Sequence, residues 1–320
     1  MAASPTSEQL EYVHNTTGER SANASFVLAA PRQFGLSDWM WALCLLIALV
    51  GLVENSIVLW LLGFRIPRNP FSVYILNLAG ADALFLCCSF LISIDKVVAY
   101  LYNSVTYKVV AYVTYMFYSV GLSFLSAIST ERCLSVFFPL WYRCHRPEQM
   151  SAAICAVLWA LASLSGLTNF VVCFYVHTPH FCHDFFIIEL VWFILFTCVL
   201  CGSSLTLLLR VQCSSQSQQP PRLYLLVLLT VLVFLFFGLP LEIGDFIARY
   251  DIVFMPLWLP WLLACVNSSA NPLIYFLLGS QRHKKREPLR VVLQRALGDE
   301  GEVGGETRDT PHANTAEMSS

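Results

Sequence analysis

Charge is the scarcest property of this chain. Aspartate, glutamate, lysine and arginine make up 12% of its 320 residues, about half the share of a soluble domain. So few ionic groups cannot clothe a soluble surface. With a formal net charge of −2, there is no basic excess to recruit nucleic acid. No polar stretch between the apolar runs is long enough for a soluble domain. No internal repeat is visible, which argues against the many transporters built from repeated halves. Residues 1–37 are mostly polar and carry no apolar signal-peptide core, so the first apolar run is expected to act as its own insertion signal. No cysteine follows Cys265, leaving no tail thiol for palmitoylation. The clustered chemistry of a membrane enzyme is also missing. His177, His180 and His183 group around Pro179 in what reads as a loop, so neither a metal site nor a cofactor is expected.

What the chain has in excess is hydrocarbon, at 57% of residues. A membrane-spanning helix needs roughly 20 mainly apolar residues. Seven such runs occur, at 39–63, 70–94, 109–137, 150–173, 184–210, 222–248 and 253–278. Backbone groups in lipid must be satisfied internally, and the runs far exceed barrel strands of about 10 residues. The expected fold is therefore an all-α seven-transmembrane helix bundle spanning 39–278 after a tail at 1–38. A juxtamembrane amphipathic helix at 279–298 is expected to lie on an anionic inner leaflet, its apolar face made by Leu289, Val292, Leu293, Ala296 and Leu297. The polar segment 299–320 is expected to be disordered.

Basic residues set the orientation. Arg65, Arg68, Arg143, Arg146, Arg210 and Arg222 share one side with the tail cluster around Arg282 and Lys284. The other side holds only Arg20, Arg32, Lys96, Lys108 and Arg249. The N-terminus is therefore expected outside and the C-terminus in the cytoplasm. The sequons at Asn15 and Asn23 fall in the outside tail, as glycosylation requires. Cys173 and Cys182 bracket "CFYVHTPHFC" on the same oxidising side, where a disulfide is expected.

Polar residues inside spans are the ones that carry function. Asn55 lies in the first, Asp82 in "LNLAGADALF", Glu131 and Arg132 in "STERCLSVFFPLWY", Trp159 in the fourth, and Asn267, Asn271, Pro272 and Tyr275 in "NSSANPLIY". In this order the set resembles the rhodopsin-like G-protein-coupled receptors over about residues 35–297. Within that class, "LWLLGFRIPRNPFSVYILNLA", "AISTERCLSV", "WYRCHRP" and "SSANPLIYF" resemble the Mas-related receptors. The resemblance implies a plasma-membrane receptor coupled to a heterotrimeric G protein of the Gq or Gi class, with arrestin as a further partner and itch or pain signalling as output. It implies a switch role for Arg132, which can pair with Glu131 or reach partner carbonyls, and for Asn271, Pro272 and Tyr275. It also implies a buried polar network of Asn55, Asp82, Asn267 and Asn271, a type that often holds sodium; the position that usually offers a hydroxyl is Gly121 here. Cys133 and Gly238 stand where most relatives of the wider class have aromatic residues. A Cys173–Cys182 bridge matches the Mas-related pattern, and the pocket is expected to be shallow and open.

Carboxylates near the outer ends of two spans raise the ligand question. Glu242 and Asp245 in "LEIGD" are three residues apart and share a helix face. Glu189 falls at a similar depth on the fifth span, and Asp184 adds charge at the rim. Converging acids focus a negative potential, which suits a basic peptide or an amphiphilic amine. Tyr115, Phe117, Tyr118, Phe170, Phe186, Trp192, Trp258 and Trp261 can add apolar or cation–π contacts. The plainer alternative has Asp245 pairing with Arg249 on the helix surface and the aromatics packing the bundle.

Overall fold

Long apolar runs become helices because a helix satisfies its own backbone. The computed structural model describes residues 35–67, 69–98, 105–175, 179–213, 221–248, 255–280 and 288–297. Seven helical segments in it are long and apolar enough to cross a membrane: Leu36–Arg65, Pro70–Val98, Val105–Phe137, Met150–Cys173, Phe181–Leu209, Leu225–Ile247 and Trp258–Leu278. These are the first to seventh spans below. The elements are α1 (Leu36–Trp60), α2 (Pro70–Val98), α3 (Val105–Phe137), the short α4 (Pro139–Cys144), α5 (Met150–Asn169), α6 (Pro179–Cys213), α7 (Pro221–Val233), α8 (Leu239–Ala248), α9 (Trp258–Ser280) and α10 (Leu289–Ala296). The sequons, Arg249 and the segment 299–320 lie outside the described residues.

Three π-helical turns, at Leu61–Arg65, Phe170–Tyr175 and Phe234–Gly238, extend or join these helices. The last joins α7 to α8 just before Pro240, whose ring nitrogen cannot donate to the helix ladder. The extra residue of a π turn re-aims everything beyond it, including Glu242 and Asp245.

Small residues let the first, second and seventh spans approach closely. A side-chain carbon at Gly51 would overlap Ser269 and meet Leu86 at 2.9 Å. Asn55 donates to the Gly51 carbonyl at 2.9 Å and to the Ser268 carbonyl at 3.1 Å. Trp159 ties the fourth span to the second through Asn77 at 3.0 Å. The fourth and fifth spans keep most of their apolar surface outward, as helices facing lipid do.

Several boundaries differ from the sequence reading. α2 runs on through Asp95 and Lys96, and Asp95 is buried, so this charged pair does not end the helix. α6 begins at Pro179, which places Cys182 in its first turn rather than in a loop. The seventh span starts at Trp258, after a turn at Pro256 whose carbonyl takes the Leu259 N–H. α10 does not spend its apolar stripe on lipid. Val292, Leu293, Ala296 and Leu297 are buried, the last three of them in the main core, while Leu289 alone of the five stays exposed.

Candidate functional site

The three carboxylates singled out from the sequence meet at one cavity. Its volume is about 750 Å³, and Glu189 from α6 and Glu242 and Asp245 from α8 all line it. Tyr115, Phe186 and Trp192 line it as well. The convergence has a local cause. Glu242 and Asp245 sit three apart in α8, just beyond the π turn, and line the cavity together with residues of α3 and α6. Asn169, at the end of α5 and buried, donates to Glu189 at 2.7 Å and fixes its rotamer. Phe186 stacks on Phe246 at 5.6 Å, closing the seam between the fifth and sixth spans.

Other expected ligand residues are elsewhere. Trp261 is buried against Phe85 and Tyr115, with ring centroids at 6.5 and 5.6 Å. Trp258 packs beside the same cluster. Both pack with residues of the first three spans, and neither lines the cavity. Phe170 does not line it, but makes an edge contact at 5.7 Å with Tyr112, which does. Asp184 is exposed and does not line it. Asn169 was missed because an amide at a helix end carries no charge signal, and only the fold brings it beside Glu189.

Tyr118, between the cavity-lining Tyr115 and Ser119 of α3, does not line the cavity itself and is buried in the bundle. The Tyr118 hydroxyl donates to the Gly238 carbonyl at 2.6 Å. A side-chain carbon at Gly238 would lie 2.8 Å from that hydroxyl and would strike the Phe234 ring. Glycine at 238 is thus what the Tyr118 contact demands.

Deeper still, Asn271 donates to Asp82 at 2.8 Å. Asn267 and Ser268 border the same small cavity of about 10 Å³, room for one water. Gly121 faces Asp82: a side-chain carbon there would lie 3.8 Å from the carboxylate. Asn55 does not bond to Asp82; it reaches the seventh span through the Ser268 carbonyl. Tyr275 is buried in the main core, and Pro272 lies within α9.

At the opposite end of the bundle, of the two roles open to Arg132, pairing with Glu131 is not the one seen among the described residues. Glu131 pairs instead with Arg146 at 2.6 Å, both side chains being 4% exposed. Tyr142 and Tyr74 donate to the same carboxylate at 3.0 and 3.4 Å. Arg146 also bonds to Ser151. A guanidinium arriving from outside the helix can meet the carboxylate head-on, which a neighbour one residue along the helix cannot. Burial and the Glu131 charge push the Tyr142 phenol up to about 12, so it remains a neutral donor. Arg132 lies over the Phe71 ring, 3.4 Å from its centroid, and its Nε has no hydrogen-bond partner among the described residues. Cys133 points to the fifth span and donates to the Ser203 carbonyl at 2.8 Å. At the cavity end, Cys173 and Cys182 form a disulfide, with Cα atoms 5.0 Å apart.

Residues 54–275 match the family model for the 7 transmembrane receptor (rhodopsin family). The chain is 48% identical over 278 residues to Mas-related G-protein coupled receptor member X2 of Macaca mulatta, covering 82% of this chain and 83% of that one. It is 45% identical over 294 residues to member B2 of Mus musculus, with 87% of each covered. It is 46% identical over 269 residues to member X1 of Homo sapiens, covering 81% of this chain and 83% of that one.

Proposed function

Since the chain belongs to the Mas-related G-protein coupled receptors of the rhodopsin family, we propose that its acid-lined cavity receives an extracellular cationic peptide or amphiphilic amine. Occupation then activates a heterotrimeric G protein of the Gq class, the Gi class or both. The observation that carries this reading is the meeting of Glu189, Glu242 and Asp245 from two helices at a single cavity. Carboxylates at membrane depth are costly unless they meet water or a cation. Aromatic walls from Tyr115, Phe186 and Trp192 complete a site of the kind that holds an ammonium or guanidinium.

In this reading the disulfide end faces outside, with Asn15 and Asn23 glycosylated, and the Arg132 end faces the cytoplasm of a plasma-membrane receptor. A ligand can shift the receptor only by binding two states unequally. The Tyr118–Gly238 bond ties the third span, which lines the cavity through Tyr115 and Ser119, to the π turn of the sixth span. Movement there opens the cytoplasmic end. Arg132, unpaired with Glu131, is then available to a G protein, and arrestin competes for the same face. Itch or nociceptive signalling is the physiological output.

A second reading has a specific support. The Asn169–Glu189 bond gives one acid a packing role, as in a receptor that signals without a cation and whose acids are structural. Cells expressing the chain, challenged with basic peptides, amines and neutral analogues, separate the two through calcium and Gi reporters. The proposal expects responses to cations only, with Glu242→Gln lowering potency at least about tenfold, the loss of one 1.4 kcal/mol interaction. Equal potency at preserved surface expression favours structural acids.

A further inference from the structure

α10 is too short to hold itself. It has eight residues, and an isolated helix shorter than about 12 residues is marginal in water. Its start is set locally, where the Pro288 carbonyl takes the Val291 and Val292 N–H groups at 2.9 and 3.3 Å. Its persistence is set by packing. Leu293, Ala296 and Leu297 share one helix face and are 0%, 0% and 3% exposed. The core they enter also holds Leu226 and Val227 of α7 and Tyr275 and Leu278 of α9. α10 packs against both of these helices. α7 begins the sixth span and α9 is the seventh, so α10 bridges the two at the Arg132 end. That end is closed: α7 packs directly on α9 and on α3, and Arg132 lies over the Phe71 ring.

We propose that α10 is an autoinhibitory latch. Docked across the sixth and seventh spans, it holds the Arg132 end closed, and it must leave α7 before a G protein can engage that end. The physical reason is the burial itself. Drawing the sixth span away from the seventh strips α10 of one of its two supports and uncovers apolar side chains that are now shielded from water. The hydrophobic effect opposes that exposure, so the docked helix biases the receptor toward the closed state, and a population shifts only by such a difference between states. No ligand and none of the cavity acids enters this latch. It rests on the G-protein half of the reading above and is separable from its cationic half.

The test is nucleotide exchange by Gq and, separately, Gi heterotrimers on the purified full-length receptor without agonist. The receptors are wild type, Leu293→Asp and Leu289→Asp, with the unfolding temperature measured for each. Leu293→Asp puts a charge on the docked face. Leu289→Asp puts the same charge on the same helix at a residue that is 48% exposed. Leu293→Asp is expected to raise basal exchange about tenfold, the shift from losing the burial of one leucine, and Leu289→Asp to leave it unchanged. Exchange at or below the wild-type level in folded Leu293→Asp overturns the latch, as does an equal rise in both variants. A second measurement needs no variant and decides the matter where Leu293→Asp does not fold. In wild type, the backbone amides of residues 293–297 are expected to lose hydrogen-exchange protection when the nucleotide-free G protein binds. Protection that is unchanged or increased in the complex overturns the latch.

Discussion

Glu131 illustrates how one side chain can hold a surface in place. Its carboxylate is buried, paired with Arg146, and accepts from Tyr142 and Tyr74. Removing one member of a buried pair leaves the other charge stranded, at about 3–5 kcal/mol. Arg146→Ala is therefore expected to lower the thermal unfolding temperature of the purified receptor clearly. Signalling without ligand should rise, because α4 loses its tether to the end of α3. Arg146→Lys keeps the charge but not the fork-like geometry and should fall between. Unfolding curves and basal nucleotide exchange on the G protein read both effects. The pairing was not legible in the sequence, since Glu131 has Arg132 as its neighbour. Only the fold brings the chain from α4 back past the end of α3. The acids of "LEIGD" were legible because two carboxylates in a hydrocarbon run have few bland explanations. The aromatics were not. Trp258 and Trp261 sit at the right depth, but which side of α9 they occupy depends on neighbours that spacing alone does not supply.

At the scale of elements, the π turn at Phe234–Gly238 matters most. It precedes Pro240, receives the Tyr118 hydroxyl on its last carbonyl, and aims Glu242 and Asp245 into the cavity. Gly238→Ala places a methyl against the Tyr118 oxygen and the Phe234 ring. Overpacking of this kind typically costs about 1–3 kcal/mol, and a drop in unfolding temperature together with weakened agonist potency is expected. Tyr118→Phe removes only the hydrogen bond, a net loss of about 1 kcal/mol, and should spare folding while altering the agonist response. A glycine before a proline reads as a break in a sequence, so the turn's type could not be inferred from it. α10 was misread for a related reason: an amphipathic face reports that something apolar covers it, not whether that is lipid or, as here, the main core of the bundle.

For the whole molecule, seven hydrocarbon runs in a charge-poor chain left little freedom, and the span order was legible from them. The cavity was only half legible. Its acidic end follows from depth and helix phase, but its apolar end, lined from the third, fourth and fifth spans, depends on how those helices pack. The Cys173–Cys182 disulfide joins those two spans at their cavity end. Replacing both cysteines by alanine should cost about 2–3 kcal/mol for so short a loop, visible as a lower unfolding temperature and as weaker binding at the cavity between them. The claim on which the whole account turns is that three carboxylates hold a cation. It is tested most directly by binding of a labelled basic peptide to purified wild type and to Glu189→Gln, Glu242→Gln and Asp245→Asn. The account predicts that Glu242→Gln and Asp245→Asn each weaken binding about tenfold or more, and Glu189→Gln less, because Asn169 shares its carboxylate. Wild-type affinity in all three folded variants would contradict it.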